Sequence, residues 1–322
     1  MIWEELTKEK QPFFALAPMN DVTDRVFRQM VAKCAAPDVF FSEFVSVDAL
    51  AGPGRESMEN KLSFDSQEHP LIVQVWGIDP KNYVSQCREL SIMGYSGIDI
   101  NMGCPVAKII NKGACSALIN DRNKAKEIIA AAKSGAKSGN PDVPVSVKTR
   151  IGFDEIDLSW IEFLLEQNLS ALTVHCRTVQ EQSNVANHFE LLSEIVEMRN
   201  RISSKTVLIA NGDIATRSQG EELAQKYKLD GIMIGRGVFS DPYVFDLKSK
   251  WNELEPIHKL NLYSEHIDLF DETWQGTKNP DVLKKFAKTY IVGFKGAHSM
   301  REKIMEQRTI EGVRDYLSSF TQ

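Results

Sequence analysis

The sequence holds little that could serve as a covalent or metallic scaffold. Its five cysteines, Cys34, Cys87, Cys104, Cys115 and Cys176, form no C-x-x-C pair. An odd, scattered set argues against a disulfide framework or a zinc site and suits a reducing compartment. No metal site is expected. No apolar run reaches the roughly 18 residues of a membrane span, and the N-terminus lacks the apolar stretch of a secretory leader. A cytoplasmic, monomeric protein without membrane contact is the expectation. A basic excess is also missing, since the net charge is −6 and the pI about 5.6, so any nucleic-acid contact must come from a local patch. No Gly-x-Gly-x-x-Gly follows the first strand-like run, and Gly52-Pro53-Gly54 lacks the third glycine. Gly-x-Ser-x-Gly, P-loop and paired metal-binding histidine motifs are absent too, which removes the commonest hydrolase and nucleotide-hydrolysing classes.

What is present is a repeated pattern. Apolar, β-branched-rich runs occur at 13–16, 39–42, 71–75, 97–100, 143–147, 171–174, 206–209 and 231–234. Near-continuous apolar runs are the mark of parallel strands buried on both faces. Helical stretches lie between most of them, at 24–33, 80–93, 122–132, 158–168, 189–199 and 221–227. Asp121 caps the third of these and Gly135 ends it, while Thr216 and Gln219 resemble a capping box before the last. Eight βα units predict a (β/α)8 TIM barrel over residues 1–245. A segment at 247–256 reads as a linker. Beyond it come three amphipathic helices, the first with Leu260, Tyr263, Ile267, Phe270 and Trp274 on one face, then 281–294 and 300–320. They predict a small all-helical domain over 246–322.

A barrel places functional residues at the carboxyl ends of its strands. There the sequence sets Pro18, Met19 and Asn20; Glu43; Gln74; Asn101 and Cys104; Lys148 and Arg150; His175 and Arg177; Asn211 and Asp213; Gly235 and Arg236. The glycine turns Asn211-Gly212-Asp213 and Gly235-Arg236-Gly237 follow strands seven and eight, where such barrels grip phosphate, and Arg236 adds charge. Gln74, Asn101, Lys148 and His175 would ring the mouth. Amides suit the edge of a flat heterocycle, and a lysine suits a ring that turns anionic on reduction, so the set looks like a flavin mononucleotide (FMN) site. Pro105 stops the fourth strand and leaves Cys104 on a loop at its end. In the tail, Lys284, Lys285, Lys288, Lys295, Arg301, Lys303 and Arg308 face only Glu302 and Glu306, a local charge of 7 − 2 = +5. That segment is a candidate nucleic-acid backbone contact or a solvated helix face.

Ala17-Pro18-Met19-Asn20-Asp21-Val22-Thr23-Asp24, Asn101-Met102-Gly103-Cys104-Pro105, Lys112-Gly113-Ala114, Val147-Lys148-Thr149-Arg150, His175-Cys176-Arg177-Thr178, Asn211-Gly212-Asp213-Ile214 and Gly235-Arg236-Gly237 occur in that order. Together they resemble the tRNA-dihydrouridine synthases across the whole barrel and, more loosely, the tail. The resemblance implies an oxidoreductase acting on a CH–CH bond: FMN, reduced by NADPH, serves to reduce the C5–C6 bond of a tRNA uridine, with Cys104 as general acid. It implies that Lys148 and His175 hold the flavin ring or phosphate and that Gln74 and Asn101 contact the ring and the base. Asn211, Asp213, Gly235 and Arg236 would take the ribityl-phosphate, and Pro18 and Met19 the ring through their backbone. Arg150, Arg177, Lys284, Lys285, Lys288 and Lys295 are the expected RNA contacts. The chain departs from the family pattern at Cys176 and Cys115, where glycine is common, at Asn111, and over 179–188. Two other functions compete: an FMN barrel oxidoreductase acting on a small pyrimidine-like molecule, and a tRNA-binding protein without catalysis.

Overall fold

The computed structural model describes residues 2–321. Eight strands form one parallel sheet: β1 (Phe13–Leu16), β2 (Phe40–Ser46), β3 (Leu71–Trp76), β4 (Gly97–Met102), β5 (Val145–Arg150), β6 (Ala171–His175), β7 (Val207–Asn211) and β8 (Gly231–Ile234). Their order is β1-β8-β7-β6-β5-β4-β3-β2. A parallel bridge from Ala15 to Val39 joins the two ends. There Leu16 N–H donates to Val39 O at 3.1 Å and Asp38 N–H to Phe14 O at 2.8 Å. The sheet therefore closes on itself, with helices outside, as the (β/α)8 reading expects.

Strand ends differ from the sequence reading in one consistent way. Asn101, Lys148, Arg150, His175 and Asn211 lie within their strands, at the end or within two residues of it, not in the loops. A polar side chain at the mouth leaves the backbone ladder intact, because alternation sends it inward while the N–H and C=O stay paired. Conversely, β5 starts at Val145, since Pro144 has no N–H to give the ladder.

Two apolar cores result. The barrel interior is filled by Phe13, Ala15, Phe41, Ile72, Ile209 and Met233, and Trp3 and Leu6 close it from below. These two come from a helix, Ile2–Glu9, that the sequence reading did not foresee. The Trp3 ring lies 6.0 Å from Phe13 and 6.4 Å from Phe41, so it packs on β1 and β2 together. The second core fills the space between strands and helices and runs on into the tail.

Helix starts follow their caps: Asp24, Asp79, Asp121, Asp157 and Thr216 each accept a backbone N–H of the first turn. Gln219 bonds the Ala215 N–H at 2.8 Å, one residue before the expected partner. Gly135 does not end its helix, which runs Arg122–Gly139. It marks a close helix crossing instead, since a Cβ there would stand 2.5 Å from Val84 O.

In the tail, helix Pro256–Trp274 buries the predicted face. The other two break up. Residues 281–294 give two single turns, Asp281–Lys284 and Ala287–Tyr290, followed by Gly293 and Gly296 at φ +87° and +94°. Residues 300–320 give Ala297–Glu306 and Ile310–Thr321, parted by extended Gln307. The expected linker is packed: Trp251 is 1% exposed and stacks on Tyr243 at 6.3 Å. Phe286 stacks on Phe27 at 5.0 Å and on Phe239 at 6.2 Å, so tail and barrel share apolar surface. Among the described residues no helix is long and apolar enough to cross a membrane.

Candidate active site

The barrel mouth opens into a cavity of about 280 Å³. Pro18, Met19, Lys148, Arg150, His175, Asn211, Asp213, Gly235 and Arg236 line it. Register explains the grouping. Arg150 pairs with His175 across β5 and β6, and His175 with Asn211 across β6 and β7. Lys148 lies two residues before Arg150 and so shares its face.

Three buried polar atoms beside this cavity have no protein partner: His175 Nε2, Arg177 Nη1 and Asn187 Oδ1. Buried polar groups are rarely left so, and His175 and Asn187 both stand against the Gly212 turn. Gly212 lies at φ +136°, and a Cβ there would stand 2.0 Å from Asn187 Oδ1 and 3.1 Å from His175 Cδ2. Only glycine fits that turn. The charge around it is positive. Burial, then Lys148, Arg150, Arg177 and Arg236, drive the His175 pKa far below its usual range, so the ring is neutral. Burial and Arg150 bring Lys148 down to about 8. Asp213 pairs with both Arg177 (2.5 Å) and Arg236. Burial opposes its ionisation, but the two guanidiniums hold its carboxyl below the usual range. Neutral imidazole, lysine, two arginines and a glycine cradle suit an anionic ligand with a flat polar head.

Gln74 and Asn101 do not line this cavity; they lie behind it, Asn101 pairing with Lys148 across β4 and β5, within a directed chain of hydrogen bonds. Ser146 Oγ donates to Asp99 at 2.6 Å, and Gln74 Nε2 donates to Asp99 at 2.7 Å. Asn101 Nδ2 donates to Gln74 Oε1 at 2.8 Å. Asn101 Oδ1 then receives the N–H groups of Gly103 (3.1 Å) and Cys104 (3.0 Å). A fully buried carboxylate thereby fixes which way both amides point and where Cys104 sits. The neighbouring Cys115, against burial and with help from the Val106 backbone, Arg150 and Lys148, lowers the Cys104 thiol to about 7. Ser116 Oγ donates to Cys104 O at 2.7 Å. A sulfhydryl near its own pKa, beside a pocket for a flat anion, is a proton donor in waiting.

The family model described as "Dihydrouridine synthase (Dus)" matches residues 15–321. The chain belongs to the dihydrouridine synthase family. It is 40% identical over 322 residues to a protein of Staphylococcus aureus (strain Mu50) named "Probable tRNA-dihydrouridine synthase", covering 99% of this chain and 95% of that one. It is 39% identical to "Probable tRNA-dihydrouridine synthase 2" of Bacillus subtilis (strain 168), covering 99% and 96%. Among solved structures, a 2-naphthoyl-CoA reductase complex superposes with TM-score 0.56 at 10% identity, over 76% of this chain and 52% of that one. A morphinone reductase variant with tetrahydroNAD gives 0.50 at 11%, over 74% and 87%. At such identities these two support the barrel fold alone.

In this dihydrouridine synthase family member the remaining expected site residues fall into two groups. Arg150 is spent on carbonyls: Nε bonds Gly103 O (2.9 Å), and Nη1 bonds Thr178 O (2.9 Å) and Gln182 O (3.1 Å). It ties the Cys104 loop to the loop after β6. Arg177 is 3% exposed and gives Nε to Val185 O at 2.8 Å. Of the tail lysines, Lys284 pairs with Asp281 at 2.8 Å, and Lys285 bonds Asp21 O at the barrel rim. Lys285 and Lys288 join Arg236 around a second cavity of about 530 Å³ floored by Phe239 and Val292. Lys295 is exposed. Sequence reasoning missed Asp99, Gln182, Ser183 and Asn187. Asp99 left a signal, a carboxylate within an apolar run two residues before Asn101. The loop residues left none.

Proposed function

We propose that this protein reduces the C5–C6 double bond of uridines in tRNA, with FMN as cofactor and NADPH as reductant. The observation that carries the reading is the convergence of Cys104, at the end of β4, with a positively charged mouth holding three partnerless buried polar atoms. FMN, when bound, supplies the reducing equivalents that reach uracil C6. Asn211, Asp213, Gly235 and Arg236 would hold its phosphate arm, with His175 and Arg177 offering their free nitrogens. Lys148 and Asn101 would face the ring and the base, with Gln74 holding Asn101 from behind, and Pro18 and Met19 line the mouth. Lys148 places positive charge where negative charge develops. Cys104 hands its proton to C5, and the Asn101 amide keeps the thiol in place while it does so.

The target uridine must leave any stack to reach this depth. The rim lysines Lys285 and Lys288, with Lys284 and Lys295 nearby, suit the phosphates of the RNA around it. In this reading residues 1–245 carry the chemistry and 246–322 hold the tRNA, in a monomer working in the cytoplasm.

The test is an anaerobic absorbance titration of the purified protein. The flavin bands bleach with NADPH and return when unmodified tRNA is added. A protein without flavin bands that takes up no FMN overturns the redox reading. Bands that return equally with free uracil would point to a small pyrimidine instead.

A further inference from the structure

Between β2 and β3 the pairing slips. Phe41 stands opposite Ile72 and Phe44 opposite Gln74, so β2 carries one residue more than its neighbour over this stretch. Ser42 and Glu43 fall in that bulge. Ser42 mends the ladder with its hydroxyl, which accepts the Gln74 N–H at 3.1 Å and donates to Glu43 O at 2.6 Å. Such bulges re-aim a side chain. The Glu43 side chain is 1% exposed, and it accepts the N–H of Asp21 at 2.6 Å, from the loop that follows β1. Lys61 stands 3.3 Å from the same carboxylate, and Lys278 of the tail 3.8 Å. A buried carboxylate is costly and adds little to stability, so its place in a bulge needs another reason.

The β1 loop supplies that reason. Ala17, Pro18 and Met19 form one wall of the barrel mouth. Met19 N–H bonds Thr23 Oγ1 at 3.0 Å, and Thr23 N–H returns to Met19 O at 3.0 Å. Asp24 caps the next helix through the Phe27 N–H at 2.8 Å and pairs with Lys278 at 2.5 Å. Between these holds the chain bulges out at Asn20 and Asp21, both exposed, with Asp21 at φ +55°. Other elements grip this tip. Lys61 bonds Asn20 Oδ1 at 2.5 Å, Lys285 bonds Asp21 O, and Glu43 takes the Asp21 N–H. We propose that Glu43 is a positioning residue: it fixes the turn at Asp21, and through it the Pro18–Met19 wall that a flavin ring would meet. Lys61 and Lys278 balance its charge. The inference rests on the mouth being the FMN site. It also gives the tail, through Lys278, a part in cofactor binding.

Glu43→Ala removes the acceptor, and Glu43→Gln keeps it without the charge. Two readouts are compared in the full-length protein, well below the unfolding temperature of each variant: hydrogen exchange of the Asp21 amide in the flavin-free form, by NMR, and FMN affinity by fluorescence titration. In Glu43→Ala the amide exchanges about tenfold faster and FMN binds about tenfold more weakly, the scale of one hydrogen bond to a charged group. In Glu43→Gln both stay near the wild type. That rescue separates positioning from a general loss of stability, since both variants lose the buried charge. An alanine variant that binds FMN like the wild type overturns the proposal, and so does a glutamine variant that falls as far as the alanine one. Should Glu43→Ala not fold, Lys61→Met takes its place: it loosens the same tip, FMN affinity falls, and an unchanged affinity overturns the proposal. If the wild type takes up no FMN, the cofactor reading fails, and exchange of the Asp21 amide still decides for or against the Glu43 contact.

Discussion

A thiol lowered to about 7 makes Cys104 an acid at the edge of its range. Only the protonated form can give a proton, so reoxidation of the reduced protein by tRNA should fall as pH rises through about 7, close to tenfold per unit beyond it. Stopped-flow absorbance across that range checks this. Cys104→Ala should bleach normally with NADPH and then lose at least about 100-fold of the tRNA-dependent recovery. An unimpaired recovery would move the acid elsewhere. Asp99 makes a different prediction. Burial raises its carboxyl from 3.8 to about 6, so the folded state holds a proton that the unfolded chain gives up. Its contribution favours the fold most below about pH 4, and is lost as pH climbs through 6. Asp99→Asn carries no such dependence. The stability difference between variant and wild type should therefore shift in the variant's favour by up to roughly 3 kcal/mol between acid and neutral pH, measured by urea unfolding.

At the scale of the element, the loops after β6 and β7 decide whether a ligand fits. Gly212→Ala would set a Cβ 2.0 Å from Asn187 Oδ1. A loss of about tenfold or more in FMN affinity is expected by fluorescence titration, with some loss of thermal stability as well, because alanine is strained at this turn. An unaltered affinity would place the phosphate arm away from this turn. The same loops show where the sequence was readable. β1 and β8 match their apolar runs because both are short and bounded by turns. β4 to β7 reach further than their runs because mouth-facing polar residues keep the ladder. Cys104, Lys148 and His175 could be picked out because polar side chains directly after apolar runs are conspicuous. Gln182 and Asn187 could not, for they reach the mouth only once Val179 and Gln180 bond Gly152 O and Phe153 O across to the β5 loop. Helix Ile2–Glu9 escaped notice because its two buried residues, Trp3 and Leu6, find their partners only after the barrel exists.

At the scale of the whole molecule, tail and barrel share one apolar core through Phe27, Phe239 and Phe286. Phe286→Ala should cost about 3–5 kcal/mol, and calorimetry should show a single transition for both parts, not two. Lys285→Ala with Lys288→Ala should weaken tRNA binding at every sequence and flatten its salt dependence by about one to two ions. An unchanged slope would remove the rim from the RNA path. The ring of strands, finally, is a strip fastened at one seam. Between β1 and β2 the fastening is one bridge at Ala15 and Val39, overlaid by Trp3. Thermal breathing should start there, with the amide protons of Leu16, Asp38 and Val39 the first of the barrel to trade for deuterium. The strands bearing Cys104, Lys148 and His175 lie across the ring from that seam, so the molecule can unzip and reclose while its reactive side keeps its shape.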